Sequence, residues 1–173
     1  TAPHYIALND EAILEYGPLA KMNPPLRTPA DAAALREGIC DGMLDCVVTD
    51  HAPHALHEKE CEFEIAPFGV VGLETSLPLM LTNLVSTGKM SWQRLVEVMC
   101  VNPRKVARLE AVKVEAGSPA DLTLIDPTIK LEVTPELFCG KQHNSAFMGA
   151  KLTGRATDTV VAGKHVLKDC KLA

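Results

Sequence analysis

A chain of 173 residues, 47% hydrophobic and 23% charged, has the composition of a globular protein with room for one domain and part of another. A formal net charge of −5 and a pI near 5.7 argue against a general binder of nucleic acid or of anionic membranes. No apolar run reaches the ~18 residues of a membrane-spanning helix, and Thr1-Ala2-Pro3-His4-Tyr5 has neither the basic nor the apolar region of a signal peptide, so Thr1 reads as a cut end.

Residues 1–28 are rich in turn formers, among them Asn9-Asp10, Gly17-Pro18 and Asn23-Pro24-Pro25. These predict a surface loop with a helical turn at most around Ile13-Leu14. From Pro29 the pattern becomes helical: Thr28 as N-cap, Pro29 in the first position, Asp31 in the first turn, Ala33, Ala34, Leu35 and Ile39 as an apolar face, and Gly42 as the stop. Cys46-Val47-Val48-Thr49 is a short β-branched run without alternation, which predicts a parallel strand buried on both faces. It ends in Asp50-His51-Ala52-Pro53-His54. Helix, short loop, buried strand and a polar cluster at the strand's C-terminal end is the order of an α/β barrel or a doubly wound sheet.

Residues 55–72 form a long loop carrying Glu58, Glu60, Glu62 and Glu64, with Glu58-Lys59-Glu60 read as a solvated face. Leu73–Val85 and Ser91–Val101 are predicted helices, the second capped by Ser91, with Leu95, Val96, Val98 and Met99 at helical spacing. Asn102-Pro103 opens a further short helix to Leu109. Beyond Val112 short strands take over, at Leu122–Ile125 and Thr159–Leu167, the latter folded by a hairpin turn at Ala162-Gly163-Lys164. A boundary near residue 112 therefore divides an α/β segment, 1–112, from a mostly β segment, 113–173. The six cysteines show no C-x-x-C pair, which predicts free, mostly buried thiols in a reducing compartment and places the protein in the cytoplasm.

The chemistry centres on Thr49-Asp50-His51-Ala52-Pro53-His54. A carboxylate at the C-terminal end of a barrel strand points into the mouth where such folds keep their active sites. There it can hold a metal ion through one oxygen and move a proton with the other. His54, four residues on and stiffened by Pro53, reaches the same mouth. The alternative is that Asp50 caps the next segment and the histidines are surface groups. Upstream, Asn23 sits on two prolines that fix the backbone, and its amide offers both donors and an acceptor to a cyclic imide or ureide. His4 reads as structural, His51 as a holder of its loop, and His57, His143 and His165 as surface groups.

Lys21–Arg27 (KMNPPLR), Thr49–His54 (TDHAPH), Ala66–Glu74 (APFGVVGLE) and Gly117–Leu122 (GSPADL) together resemble, in order, the C-terminal half of a dihydroorotase of the amidohydrolase superfamily. The resemblance implies the C-terminal part of a (β/α)8 metal-dependent hydrolase barrel followed by part of a small β-sandwich. It implies Asp50 as metal ligand and proton shuttle, Asn23 and His54 as substrate contacts, and the backbone around Phe68 and Gly69 as the rest of a pyrimidine pocket. The reaction implied is reversible hydrolysis of dihydroorotate to N-carbamoyl-aspartate, with one or two Zn2+ ions as cofactor.

The His-x-His pair, the bridging ligand and the later histidine ligands of that family are absent. A catalytic zinc keeps ~3 protein ligands and a closed barrel takes ~250 residues, so the chain reads as part of an enzyme, inactive alone. The partners implied are a small-molecule substrate and the missing N-terminal half as a second polypeptide, with a homo-oligomer or an aspartate transcarbamoylase complex as further assemblies. Two other readings stand beside this one: a non-catalytic dihydroorotase-like subunit supporting aspartate transcarbamoylase, and a hydantoinase or allantoinase.

Overall fold

Thr28 starts the longest helix of the computed structural model, which describes all 173 residues. Thr28 Oγ1 accepts from the Asp31 N–H and the Asp31 carboxylate accepts from the Thr28 N–H, so two otherwise orphaned donors are satisfied reciprocally. Pro29 occupies the first position and Gly42, at φ +99°, ends the helix in the left-handed conformation. This helix (α3, Pro29–Asp41) follows two short ones, α1 (Pro3–Ala7) and α2 (Ala12–Tyr16), and a 3-10 turn at Gly17–Ala20.

Those N-terminal elements correct the expectation of a surface loop. Ile6, Ala20, Met22 and Leu26 are all buried, while Leu14 and the Asn23-Pro24-Pro25 turn are among the residues left exposed. Pro3 does not break α1, because a proline in the first turn lacks only an N–H that has no partner there.

Cys46–Thr49 is extended, but it forms no regular ladder. Thr1 donates its amine to Cys46 O and accepts from the Val48 N–H, each at 2.9 Å, which is the alternating pattern of a parallel pair. Val47 is buried against Ile6, Ile39, Met80, Leu84 and Val98, whereas Val48 is 53% exposed. The strand is thus covered on one face only, since successive side chains point to opposite faces and Val48 lines an open hollow.

Helix α4 (Leu56–Lys59) interrupts the acidic loop, and α5 (Leu73–Met80) follows it. Helix α5 carries Pro78 and widens into a π-helical turn at Leu81–Val85. The next helix, α6 (Trp92–Val96), is capped by Ser91 Oγ on the Arg94 N–H, passes through a second π-helical turn at Glu97–Val101 and continues as α7 (Asn102–Val106). Strands β1 (Leu122–Glu132), β2 (Lys151–Val161), β3 (Lys164–Lys168) and β4 (Lys171–Leu172) make one antiparallel sheet in that order. Ala162 and Gly163 both have positive φ, the geometry that matches a two-residue hairpin to the strand twist.

Val71 and Leu79 share a core with Val133, Phe138, Phe147 and Leu152, so helical and sheet segments bury their apolar faces against each other. Gly154, at φ +85° on β2, lies directly on Leu81, and a Cβ there would collide with the leucine side chain. The cysteines are free, but none is fully buried: Cys139 is exposed and the other five are half-buried.

Lys59 corrects the reading of its acidic run as a solvated face. It is 3% exposed and its ammonium donates to Pro67 O (2.7 Å) and Pro18 O (3.1 Å). Lys21, also buried, donates to Ala66 O (2.7 Å) and Glu64 O (2.9 Å) and lies over the Phe68 ring, 4.5 Å from its centre. Two buried ammonium groups thus tie both ends of the acidic loop through backbone carbonyls, which a loop side chain facing water does not do.

Two outcomes follow for stability. Gly154→Ala should lower the unfolding free energy by about 2 kcal/mol or more, from overpacking added to left-handed strain. Gly163→Ala, where a Cβ meets nothing, should cost only about 1 kcal/mol; equal losses in denaturant unfolding would remove the packing argument. Burial, reinforced by the neighbouring Lys21 charge, lowers the Lys59 pKa from 10.5 to about 8. Between those values the unfolded chain binds more protons, so the Lys59 contribution to stability rises with pH from 8 to 10.5. The stability difference between wild type and Lys59→Met should therefore shift toward the wild type across that window; a pH-independent difference would overturn this account.

Candidate active site

Asp50 ends the extended Cys46–Thr49 segment at φ +50°, a left-handed conformation that a non-glycine residue adopts at a cost of about 1–3 kcal/mol. Its carboxylate makes no hydrogen bond and is half exposed, at the edge of a hollow of about 460 Å³ lined also by Asn23, Tyr5 and Val48. The Asn23 side chain stands on Pro24 and Pro25, and Tyr5 holds that support by donating its hydroxyl to Pro24 O at 2.6 Å. Burial, helped by the Asp50 charge, pushes the Tyr5 pKa up to about 12, so the phenol stays protonated and keeps donating. The sequence thus brings Asn23 and Asp50, 27 positions apart, to one hollow.

His4 approaches Asp50 from the buried side. Its Nε2 is 3.8 Å from Asp50 Oδ2, too far for a hydrogen bond, and has no other partner. Burial outweighs the attraction of Asp50 and lowers the His4 pKa to about 4, which leaves a neutral ring near pH 7. His51 Nδ1 accepts from the Gly72 N–H at 3.1 Å, so its ring proton sits on Nε2 and the side chain braces the loop.

His54, Phe68 and Gly69 lie outside the lining of the hollow and connect to it through the backbone. His54 Nε2 is 2.9 Å from Phe68 O and donates to it, because a carbonyl only accepts. Gly69 donates its N–H to Lys21 O (2.8 Å), Ala52 donates to Val70 O (2.8 Å), and His51 and Val70 form a parallel bridge. The segment 68–72 is therefore laid between the Lys21–Asn23 and Asp50–His54 segments. Both backbone groups of Gly69 are engaged within the protein, and its part is close approach: at φ +105° a Cβ would strike that of Ala52. Tyr5, Lys21, Lys59 and Asn144 hold this arrangement without having stood out in the sequence. Lys21 alone carried a signal, as a member of the Lys21–Arg27 motif.

Asp50 suits a divalent metal as a ligand, with two unpaired carboxylate oxygens facing open space. No group of three or more His, Cys, Asp or Glu side chains is arranged around a common point. No helix is long and apolar enough to cross a membrane.

Residues 18–166 match the family model described as the amidohydrolase family. The chain is similar to the dihydroorotases of Geotalea daltonii (48% identity over 97% of this chain and 39% of that protein), Pelotomaculum thermopropionicum (44%, 97% and 39%) and Streptomyces coelicolor (42%, 98% and 40%). It spans about two-fifths of the length of these curated relatives. Among solved structures it resembles the L-hydantoinase (dihydropyrimidinase) from Arthrobacter aurescens, with a TM-score of 0.90 and 34% identity over 100% of this chain and 40% of that one. The D-hydantoinase (dihydropyrimidinase) from a Thermus species follows at 0.85 and 24%, over the same shares of each chain. The fold is thus a portion of the amidohydrolase (β/α)8 barrel with an antiparallel sheet packed on it. With the family pattern running through the Asp50 loop, the segment 68–72 and the sheet, the chain belongs to the amidohydrolase family.

Proposed function

We propose that the chain is the C-terminal portion of a dihydroorotase, contributing the last catalytic carboxylate and much of the substrate pocket. The observation that carries this reading is the meeting of Asn23 and Asp50 on one hollow, beside a loop bearing His54 that is bonded to the Phe68 carbonyl. Similarity to proteins named dihydroorotase along nearly the whole chain supports the same substrate. In this reading residues 1–112 are the barrel portion, residues 113–173 belong to the small β portion, and the protein works in the cytoplasm. The remaining metal ligands lie outside these residues, on the same or a second polypeptide.

The substrate is a cyclic amide carrying a carboxylate. Asn23 presents an exposed amide, able to donate to a ring carbonyl and accept from a ring N–H at once. His54 and the wall formed by Phe68 and Gly69 orient the ring from the other side. Asp50 takes a proton from the attacking water and delivers it to the ring nitrogen as the amide C–N bond breaks. A carboxyl group and a free carbamoyl nitrogen result, and the reverse cyclisation uses the same groups. Zn2+, held in part by Asp50, would supply Lewis-acid activation of the carbonyl and of water.

A second reading, a hydantoinase, is favoured by the structural likeness to the Arthrobacter aurescens enzyme. Initial rates of the complete assembly on dihydroorotate, hydantoin and allantoin separate the two; a preference for hydantoin would overturn the dihydroorotase assignment. Asp50→Ala should lower kcat by about three orders of magnitude or more, through loss of a metal ligand and a base. Retained turnover would remove Asp50 from the chemistry. Chelation should abolish activity, and added zinc should restore it.

A further inference from the structure

Asn144 is fully buried, and every polar atom of its side chain is spent on the two loops that form the pocket wall. Its Nδ2 donates to Ala52 O at 3.0 Å and to Gly69 O at 3.3 Å, and its Oδ1 accepts from the His54 N–H at 2.9 Å. The orientation of the amide is forced, because the two carbonyls require the NH2 end and the N–H requires the oxygen. The main chain adds a fourth tie, from the Val71 N–H to Asn144 O at 3.1 Å. Asn144 lies between β1 and β2, about ninety positions along the chain from His54.

The bonds fall where the proposed substrate contacts sit. One is to His54 itself, one to Gly69 itself, and one to Ala52, midway between Asp50 and His54. Ala52 and Gly69 approach so closely that no Cβ fits at Gly69, and a single amide bridges their carbonyls. Those two carbonyl dipoles point at one donor group, so without Nδ2 they would face each other unpaired in a buried space, which opposes the close approach. By contrast the adjacent buried Ser145 keeps its bond local, accepting from the Phe147 N–H.

We propose that Asn144 is a positioning residue for substrate binding, setting the separation and orientation of the His54 loop and the Phe68-Gly69 loop. This rests on the reading of those loops as the wall of a cyclic-amide pocket. Asn144 touches no reacting atom, so its loss acts on binding rather than on the Asp50 proton transfer.

The test is steady-state kinetics of the complete assembly carrying Asn144→Asp, Asn144→Ala or Ser145→Ala. Asn144→Asp keeps the acceptor for His54 and removes the donors to Ala52 and Gly69. Both Asn144 variants should raise KM for dihydroorotate about tenfold or more while kcat stays within about threefold, and Ser145→Ala should leave KM unchanged. A merely structural role gives the opposite pattern, fewer active molecules and hence a lower apparent kcat at unaltered KM. That pattern, or a KM rise equal in Ser145→Ala, overturns the proposal. If Asn144→Ala yields no folded protein, the near-isosteric Asn144→Asp decides by the same criterion. The wild type is assayed first: inactivity on dihydroorotate with activity on hydantoin defeats the dihydroorotase reading alone, and the KM comparison is then made on hydantoin.

Discussion

Three stretches of chain from distant parts of the sequence, around Lys21, His51-Ala52 and Asn144, meet along the backbone of residues 69–72. Gly69 donates to Lys21 O, Val70 accepts from Ala52, Val71 donates to Asn144 O, and Gly72 donates to the His51 ring. Each of these groups would be an unsatisfied buried polar atom if its neighbour moved away, at about 1–3 kcal/mol apiece. The positions of the Lys21–Asn23 and Asp50–His54 segments are therefore set by one segment, 69–72, through its backbone. Glycine is required at 69 because the chain passes Ala52 with no room for a side chain, and at 72 because a Cβ would come within 2.8 Å of Thr49 O.

Around this joint the protein places polar groups where burial disfavours them. Two ammonium groups, Lys21 and Lys59, are buried without a carboxylate partner and rely on backbone carbonyls, although glutamates abound in the loop they hold. A carbonyl is fixed to the chain and a glutamate side chain is not, so bonding to carbonyls specifies the loop's path rather than only attracting it. The glutamates Glu58, Glu60, Glu62 and Glu64 remain exposed. Asp50 is the complementary case: its backbone is held in a left-handed conformation while its carboxylate is left without a hydrogen bond. Strain of that kind persists where the surroundings over-determine it, and here the flanking Val48 and Ala52 N–H groups are both bonded.

Much of this was legible in the sequence, and the limits have physical causes. Thr28, Pro29, Asp31 and Gly42 delimit α3 as read, because capping is a local interaction encoded within one turn. The Ala162-Gly163 hairpin is legible for the same reason. The N-terminal stretch misled, since Asn9-Asp10, Gly17-Pro18 and Asn23-Pro24-Pro25 suggested a surface loop with one helical turn at most, while Ile6, Met22 and Leu26 are buried by contacts made far along the chain. Lys59 was unreadable as a buried group: its partners are main-chain oxygens, which every residue has. Asn144 gave no signal either, because a lone asparagine in His143-Asn144-Ser145 looks like any turn residue. The motifs around Asn23, Asp50 and Phe68 stood out because their residue types are chemically specific; what holds them is chemically generic.

The same division between specific and generic groups holds where the sheet segment meets residues 69–72. Val133, Phe138, Phe147 and Leu152 pack on Val71 and Leu79, so the apolar contact of the sheet segment lands directly behind the segment 69–72. Hydrophobic burial is non-directional and on its own fixes no hydrogen-bond register. Asn144, three residues before Phe147 in that same contact, converts it into directional constraints on Ala52, His54 and Gly69. Docking the sheet and setting the separation of the His54 and Phe68-Gly69 loops are consequently coupled. A sheet docked by apolar contacts alone would leave the separation of the two loops less sharply defined. Pockets that orient a small ring by a few hydrogen bonds are sensitive to misplacements of about 1 Å.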